Sequence, residues 1–153
     1  MHADRMTANY PPEHFLNREL SLLQFQRRVL AQAADPTVPL LERLRFLCIV
    51  SSNLDEFFEI RVSGLKEQIR AKAPAITTDG KTVQETFRMV ATEAHAIVAE
   101  QYRHLNDVIL PALAAQGIRF LRRSKWTEEQ REWIRDYFIR EMVPVLTPIG
   151  LDP

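Results

Sequence analysis

Between positions 83 and 113 apolar side chains recur with the period of an α-helix, and no other feature of the 153-residue chain limits its fold so strongly. Val83, Phe87, Val90, Ala94 and Ile97 step by four and three; Val98, Tyr102, Leu105, Ile109 and Leu113 continue after a slight rotation of the stripe. A helix of about thirty residues spans some 45 Å at 1.5 Å per residue. A stripe that long needs cover along its whole length, so shorter helices must lie beside it as a bundle. Thr82 with Glu85 supplies a capping box at its start, and Gly117 suits the position just past its end. Pro111 predicts a kink or an early stop near residues 107–110.

The preceding chain supplies the neighbours. Residues 21–34 start at a capping box, Ser21 with Gln24, bury Leu22, Phe25, Val29 and Ala33, and stop at Asp35-Pro36. A second run follows Pro39 and places Leu40, Leu44 and Leu47, with Leu41 and Cys48 beside them, on one face. A third carries Leu54, Phe58, Val62, Leu65 and Ile69. Between the last two stand Ser51, Ser52 and Asn53. Asn53 with Glu56, and Ser52 with Asp55, have capping-box spacing, so a helix break is expected at 51–53. The helix after it would begin acidic (Asp55, Glu56, Glu59) and end basic (Arg61, Lys66, Arg70, Lys72), which complements its dipole.

Beyond Gly117 the texture changes. Ile118, Phe120 and Leu121 form a β-like run, and Arg122, Arg123 and Lys125 a basic turn. Thr127 with Gln130 caps a last helix to about Met142, and the Pro-punctuated VPVLTPIGLDP has the texture of a first strand. The expected fold is therefore mainly α: a polar lead-in over 1–16, a helical domain over 17–116, and the truncated start of an α/β head domain over 117–153.

Composition excludes several functions. Twenty basic and twenty acidic residues leave no net charge, which argues against attraction of the whole domain to nucleic acid or to a membrane. The single Cys48 has no disulfide partner, and its place on an apolar face predicts a core position in a reducing compartment. No run of about 18 apolar residues and no signal-peptide core is present, so a spanning or secreted chain is not expected. Gly80-Lys81-Thr82 resembles the tail of a phosphate-binding loop, but Ala75 stands where an earlier glycine is required. His95 and His104 are nine apart, whereas metal-binding helical pairs sit three or four apart. With no catalytic motif, any reacting groups are expected elsewhere. Arg27 and Arg28 fall off the apolar stripe, either as a solvated face or as a polyanion contact. Asn53 is the one ligand candidate. Its planar carboxamide matches the N6 donor and N7 acceptor of adenine, although as structure alone it simply caps a helix.

The segments FLNRELSLLQFQRRVLAQAAD, PLLERLRFLCIVSSNLDEFFEIRVSGLKEQI and VPVLTPIGLDP closely resemble the N-terminal region of bacterial polyphosphate kinase, the large histidine-phosphorylating type, over about residues 15–153. SSNLDEFFEIRVSGLK is the most specific block. Leu22 stands where the family often has Trp, and Ser52 where many members have a second Asn. The resemblance implies an enzyme that moves the terminal phosphate of ATP reversibly onto inorganic polyphosphate, through a phosphohistidine and with Mg²⁺. It also implies a protein several-fold longer, homo-oligomeric and cytoplasmic, with peripheral membrane association left open. Its two C-terminal domains, of phospholipase-D-like fold, would hold the nucleophilic His, the metal ligands and the remaining nucleotide contacts. None of His2, His14, His95 or His104 matches that nucleophile.

What carries over is Asn53, at the adenine of ATP (or ADP), with no catalytic residue and no metal ligand in this stretch. The chain alone is accordingly expected to be inactive. Arg27, Arg28, Arg43, Arg45 and Arg61 are candidates to guide a polyanion. Two readings compete. One is a non-enzymatic helical interaction module, which would need Phe87, Val90 and Tyr102 to form an exposed apolar patch on the long helix. The other is nucleic-acid binding through Arg119, Arg122, Arg123 and Lys125.

Overall fold

The computed structural model describes residues 10–72, 76–147 and 149–150. They fall into two compact units, Met1–Gly117 and Ile118–Pro153. The architecture is mainly α, and no strand forms among the described residues. No helix among them is long and apolar enough to cross a membrane.

The first unit is a bundle of three helical rods. The first rod is α1 (Arg18–Ala34); the second runs through α2 (Leu40–Glu56), a π turn (Phe57–Val62) and α3 (Ser63–Arg70). The third runs through α4 (Val83–His104), a second π turn (Leu105–Ile109) and α5 (Leu110–Ala115). Side-chain bonds from Asn17 to Thr86 and from His104 to the Ala33 carbonyl pair the two ends of α1 with the two ends of α4, so those helices run parallel. The second rod is antiparallel to both, as the bonds Asn53 to Gln26 and Gln101 to the Leu47 carbonyl require.

The expected break at 51–53 does not occur. Ser51, Ser52 and Asn53 lie inside α2, and the backbone at Phe57 remains helical (φ −61°, ψ −43°). The reason lies in the buried positions Leu47, Val50, Leu54 and Phe57, whose steps of three, four and three continue straight through the polar triplet. Weak helix formers cost only a few tenths of a kcal/mol each, which unbroken burial outweighs. The stripe also uses Phe57 where Phe58 was expected, and then steps by five to Val62. In a regular helix, at 100° per residue, that step would swing Val62 about 140° off the stripe. The π turn takes up the extra residue.

Pro111 is handled in the same manner. The helix neither ends nor breaks near 107–110: it widens, with the Leu110 N–H donating to the Leu105 carbonyl five residues back, and then continues to Ala115. A proline lacks an N–H and its ring collides with the carbonyl four residues earlier. That carbonyl belongs to Asp107, inside the widened turn.

Helix starts are set by side chains. Asn17, not Ser21, caps α1: its Oδ1 accepts from the N–H groups of Glu19 and Leu20, both at 3.1 Å. The stripe of α1 is correspondingly Leu23, Gln26, Leu30 and Ala33, one residue round from the expected Leu22, Phe25 and Val29. Thr82 and Glu85 form the expected capping box of α4, and Gly117 takes the expected left-handed turn (φ +84°). Cys48 is exposed, which corrects its expected place in the core; the interior face of α2 is the one carrying Leu47 and Val50.

Between the second and third rods, the Thr77 N–H donates to the Lys81 carbonyl (2.8 Å) and Gly80 turns with φ +79°. Its Asp79 carboxylate, 3% exposed, accepts from Lys81 Nζ at 2.6 Å, from the Thr77 hydroxyl, and from Asn17 Nδ2 at 3.3 Å. Burial pushes this carboxyl up, but those hydrogen bonds and the Lys81 charge outweigh it and hold it below its ordinary 3.8. The loop is thereby fastened to the start of α1.

In the second unit, residues 118–121, expected to be β-like, form neither strand nor helix. A turn at Arg123–Lys125 leads into α6 (Glu128–Tyr137), which starts at the expected Thr127 and Gln130 box. A third π turn (Phe138–Met142) again precedes a proline, Pro144, within the short turn Val143–Val145 where strand texture had been expected. An isolated strand leaves its N–H and C=O groups unpaired, and no described segment offers a partner. The rest of the expected strand falls partly on Pro148 and residues 151–153, which lie outside the described residues, as does most of the lead-in, 1–9.

Asp79→Ala is expected to lower the stability of the chain by about 2 kcal/mol near neutral pH, because it strands the donors of Asn17 and Thr77. A group with a depressed pKa contributes stability that is present above its unfolded value and lost as pH falls through the folded one. The gap between the variant and the parent in urea unfolding should therefore narrow as pH drops below 3.8.

Candidate functional site

Asn53 lines a cleft of about 280 Å³ between α1 and the second rod. Leu22, Phe25 and Gln26 form one wall, Asn53 and Glu56 the other, and Phe57, Ile60 and Arg61 of the π turn close it. The widened turn matters to this arrangement. Eight residues of regular helix would leave Arg61 about 80° round from Asn53, whereas one extra residue in the turn returns it to the same face, two turns on.

The Asn53 side chain is half-buried, and its Nδ2 donates to Gln26 Oε1 at 3.0 Å. A carboxamide has two donors and two acceptor sites, so one N–H and the whole of Oδ1 remain without a partner among the described residues. Gln26 is 7% exposed and occupies a core position of α1, between Leu23 and Leu30. Phe25, 45% exposed, presents its ring at the rim with the Arg28 guanidinium 5.6 Å from its centroid. The cleft thus joins flat apolar surface to an amide donor and acceptor, with cationic groups at its edge. Sequence reasoning singled out Asn53, which lines the cleft, but neither Gln26 nor Phe57, which line it too. The signal for Gln26 was present, as a polar residue at the helical spacing of Leu23, Leu30 and Ala33.

The five arginines do not converge. Arg27 is committed to α4: its Nε binds Glu93 and its Nη1 binds Glu100 at 3.0 Å. The hydrogen bond to Glu93 raises the Arg27 pKa, and the same bond lowers that of Glu93. Arg43 donates to the Ala33 carbonyl at 2.8 Å, where the His104 Nε2–H also donates at 2.7 Å, so both serve the C-terminal end of α1. Arg45 forms an exposed pair with Glu42 at 3.6 Å. Only Arg61 lines the cleft, and it makes no ion pair with a described residue. Lys81, part of the loop that resembled a phosphate-binding turn, is paired to Asp79. Among the described residues no three His, Cys, Asp or Glu side chains converge as metal ligands.

The patch that an interaction module would require does not form. Val90 is 1% exposed and Phe87 packs on the core, which leaves Tyr102 alone at the surface. Arg119, Arg122, Arg123 and Lys125 are exposed in the second unit, where Arg119 stands beside Trp126 and Trp133 in an apolar recess.

Comparison with known proteins agrees with the sequence. A family model described as the polyphosphate kinase N-terminal domain matches residues 15–121. Polyphosphate kinases of Burkholderia cenocepacia (strain HI2424) and Burkholderia orbicola (strain MC0-3) are each 56% identical over 148 residues, covering 97% of this chain and 21% of the relative. That of Paraburkholderia phytofirmans (strain DSM 17436 / LMG 22146 / PsJN) is 55% identical over the same share. A crystal structure of polyphosphate kinase from Porphyromonas gingivalis matches with a TM-score of 0.66 at 31% identity, over 92% of this chain and 19% of that one. The chain spans about a fifth of the length of these relatives.

Arg27→Ala removes two partly exposed ion pairs between α1 and α4 and is expected to cost about 1 kcal/mol in urea unfolding. The Glu93 share of that loss disappears in acid. Because Arg27 holds the Glu93 carboxyl below its ordinary 4.5, its contribution is fully present above that value and is lost as pH falls below it through the depressed folded value.

Proposed function

The chain belongs to the polyphosphate kinase N-terminal domain family, and on that footing we propose that it holds the adenine of ATP for an enzyme that transfers the terminal phosphate reversibly onto inorganic polyphosphate. The observation that carries this is the partly unpaired amide of Asn53 on the wall of an open cleft. Adenine presents an N6 donor and an N7 acceptor side by side; the first suits Asn53 Oδ1 and the second its remaining N–H. Phe25 and Phe57 supply apolar surface for the base. At about 280 Å³ the cleft lies at the lower edge of ligand pockets, roughly 300–1,000 Å³, so it fits a base and leaves ribose and phosphates outside.

Phosphoryl transfer demands positioning and neutralisation of charge more than covalent work by the protein. Holding the base satisfies the first demand at a distance from the reacting phosphate. We assign Mg²⁺, the phosphohistidine and the polyphosphate path to the remaining length of the longer relatives, as the family resemblance implies. We place the assembled enzyme in the cytoplasm as a homo-oligomer, as the family resemblance implies.

In the full-length enzyme carrying this sequence, Asn53→Ala should raise the KM for ATP about tenfold, in the range expected for loss of a bidentate base contact. Asn53 lies inside α2 and caps nothing, but its loss strands the buried Gln26 acceptor, so the same substitution should also cost about 1 to 2 kcal/mol in unfolding. An unchanged KM would make Asn53 purely structural. The isolated 153-residue chain should show no ATP-dependent polyphosphate synthesis. Robust synthesis would place the reacting groups within it.

A further inference from the structure

We propose that Gln26 is a positioning residue for the nucleotide, fixing the rotation of the Asn53 carboxamide so that its free acceptor and second N–H are held toward the cleft. The inference rests on the adenine reading of Asn53 and extends it to a second helix.

Gln26 is a poor choice for packing. Leu23, Leu30 and Ala33 occupy the neighbouring core positions of α1, and a leucine at 26 would continue that stripe. A buried amide must instead be hydrogen-bonded or bear a desolvation penalty. Among the described residues, the one side-chain bond Gln26 makes is the 3.0 Å contact it accepts from Asn53. Asn53 is an equally poor choice for its helix, since asparagine is a weak helix former and lies here in the interior of α2, on the buried side of the polar triplet. Each is unfavourable alone, and the two meet across the seam between α1 and α2.

Their meeting has a consequence for recognition. A carboxamide can turn about its last torsion and present donor and acceptor in either order. The Gln26 acceptor selects the orientation with Nδ2 toward α1, which leaves Oδ1 and one N–H in a fixed order in the same plane. A site whose polar groups are already set does not lose that rotational freedom on binding. The helix behind Asn53 is held in turn by the buried Leu54 and by Phe57, the first residue of the π turn.

The test is a double-mutant cycle in the full-length enzyme, read as KM for ATP and kcat. Gln26→Leu should raise KM by about fivefold, the fold-change of one hydrogen bond of ordinary strength, with the change falling on KM rather than on kcat. Gln26→Glu keeps the acceptor and should restore most of the loss. In an Asn53→Ala background, Gln26→Leu should add nothing, because the amide it orients is gone. Leucine at a core position keeps the fold, which unfolding of each variant verifies.

The proposal is overturned if Gln26→Leu leaves KM unchanged while Asn53→Ala raises it, if Gln26→Glu fails to restore KM, or if the two effects multiply. An Asn53→Ala enzyme with the parent KM would overturn the adenine reading itself, and the role of Gln26 with it.

Discussion

A regular α-helix cannot keep one row of side chains against a neighbour for thirty residues, because its period drifts about 20° per heptad against a straight seam. The first unit must do so twice, along residues 40–70 and 83–115. It keeps phase by widening each helix once, at Phe57–Val62 and at Leu105–Ile109. Everything else in the bundle depends on that adjustment. It lets Leu54, Phe57, Val62 and Leu65 share one face, it carries the third rod past Pro111, and it turns Arg61 into the cleft beside Asn53. Such a turn stretches the local hydrogen-bond ladder, and in the second rod the Ser63 hydroxyl donates to the carbonyls of Glu59 and Ile60 within it.

Two asparagines in the same apolar bundle show what distinguishes a structural amide from a candidate ligand. Asn17 is saturated: its Oδ1 accepts from two backbone N–H groups, while its Nδ2 reaches the Asp79 carboxylate and the hydroxyl of Thr86, which is fully buried. It closes a cap, fastens a loop, and has nothing left to offer. Asn53 has one bond, to another amide, and stands on the wall of a cleft. The first compensates its burial fully, whereas the second keeps hydrogen-bonding capacity that solvent or a ligand can take up.

Much of this was legible in the sequence. The long periodic segment announced the third rod, Thr82 with Glu85 and Thr127 with Gln130 marked two helix starts that form as expected, and Gly117 marked an end. The misplaced helix starts have one cause: burial and long-range bonds override local capping signals. Ser51, Ser52 and Asn53 with Glu56 have the spacing of a cap, yet the apolar row through Val50, Leu54 and Phe57 runs beneath them unbroken. Ser21 with Gln24 has that spacing too, yet Asn17 starts α1 a turn earlier because its amide is also tied to Asp79 from 62 residues away. A bond of that sequence separation leaves no local pattern. Phe57 in place of Phe58, and Arg61 on the Asn53 face, follow from a π turn, which no 100°-per-residue count anticipates. Asn53 stands out as a candidate whatever the local structure, since the chemistry of its amide does not depend on where the helix begins.

The geometry of the cleft also bears on which base it suits. Adenine and guanine share N7 but differ at position six, where adenine carries a donor and guanine an acceptor. Asn53, with one N–H already taken by Gln26, offers one remaining donor and one acceptor side by side. Adenine satisfies both. Guanine in the same pose would set its O6 against Asn53 Oδ1, two acceptors facing each other with no proton between them. Were the first N–H of Asn53 not engaged by Gln26, the amide could roll to soften that clash. Discrimination in favour of adenine would then arise from the pair across the α1–α2 seam rather than from Asn53 alone, with a core-facing glutamine setting the preference of a residue it never lets rotate.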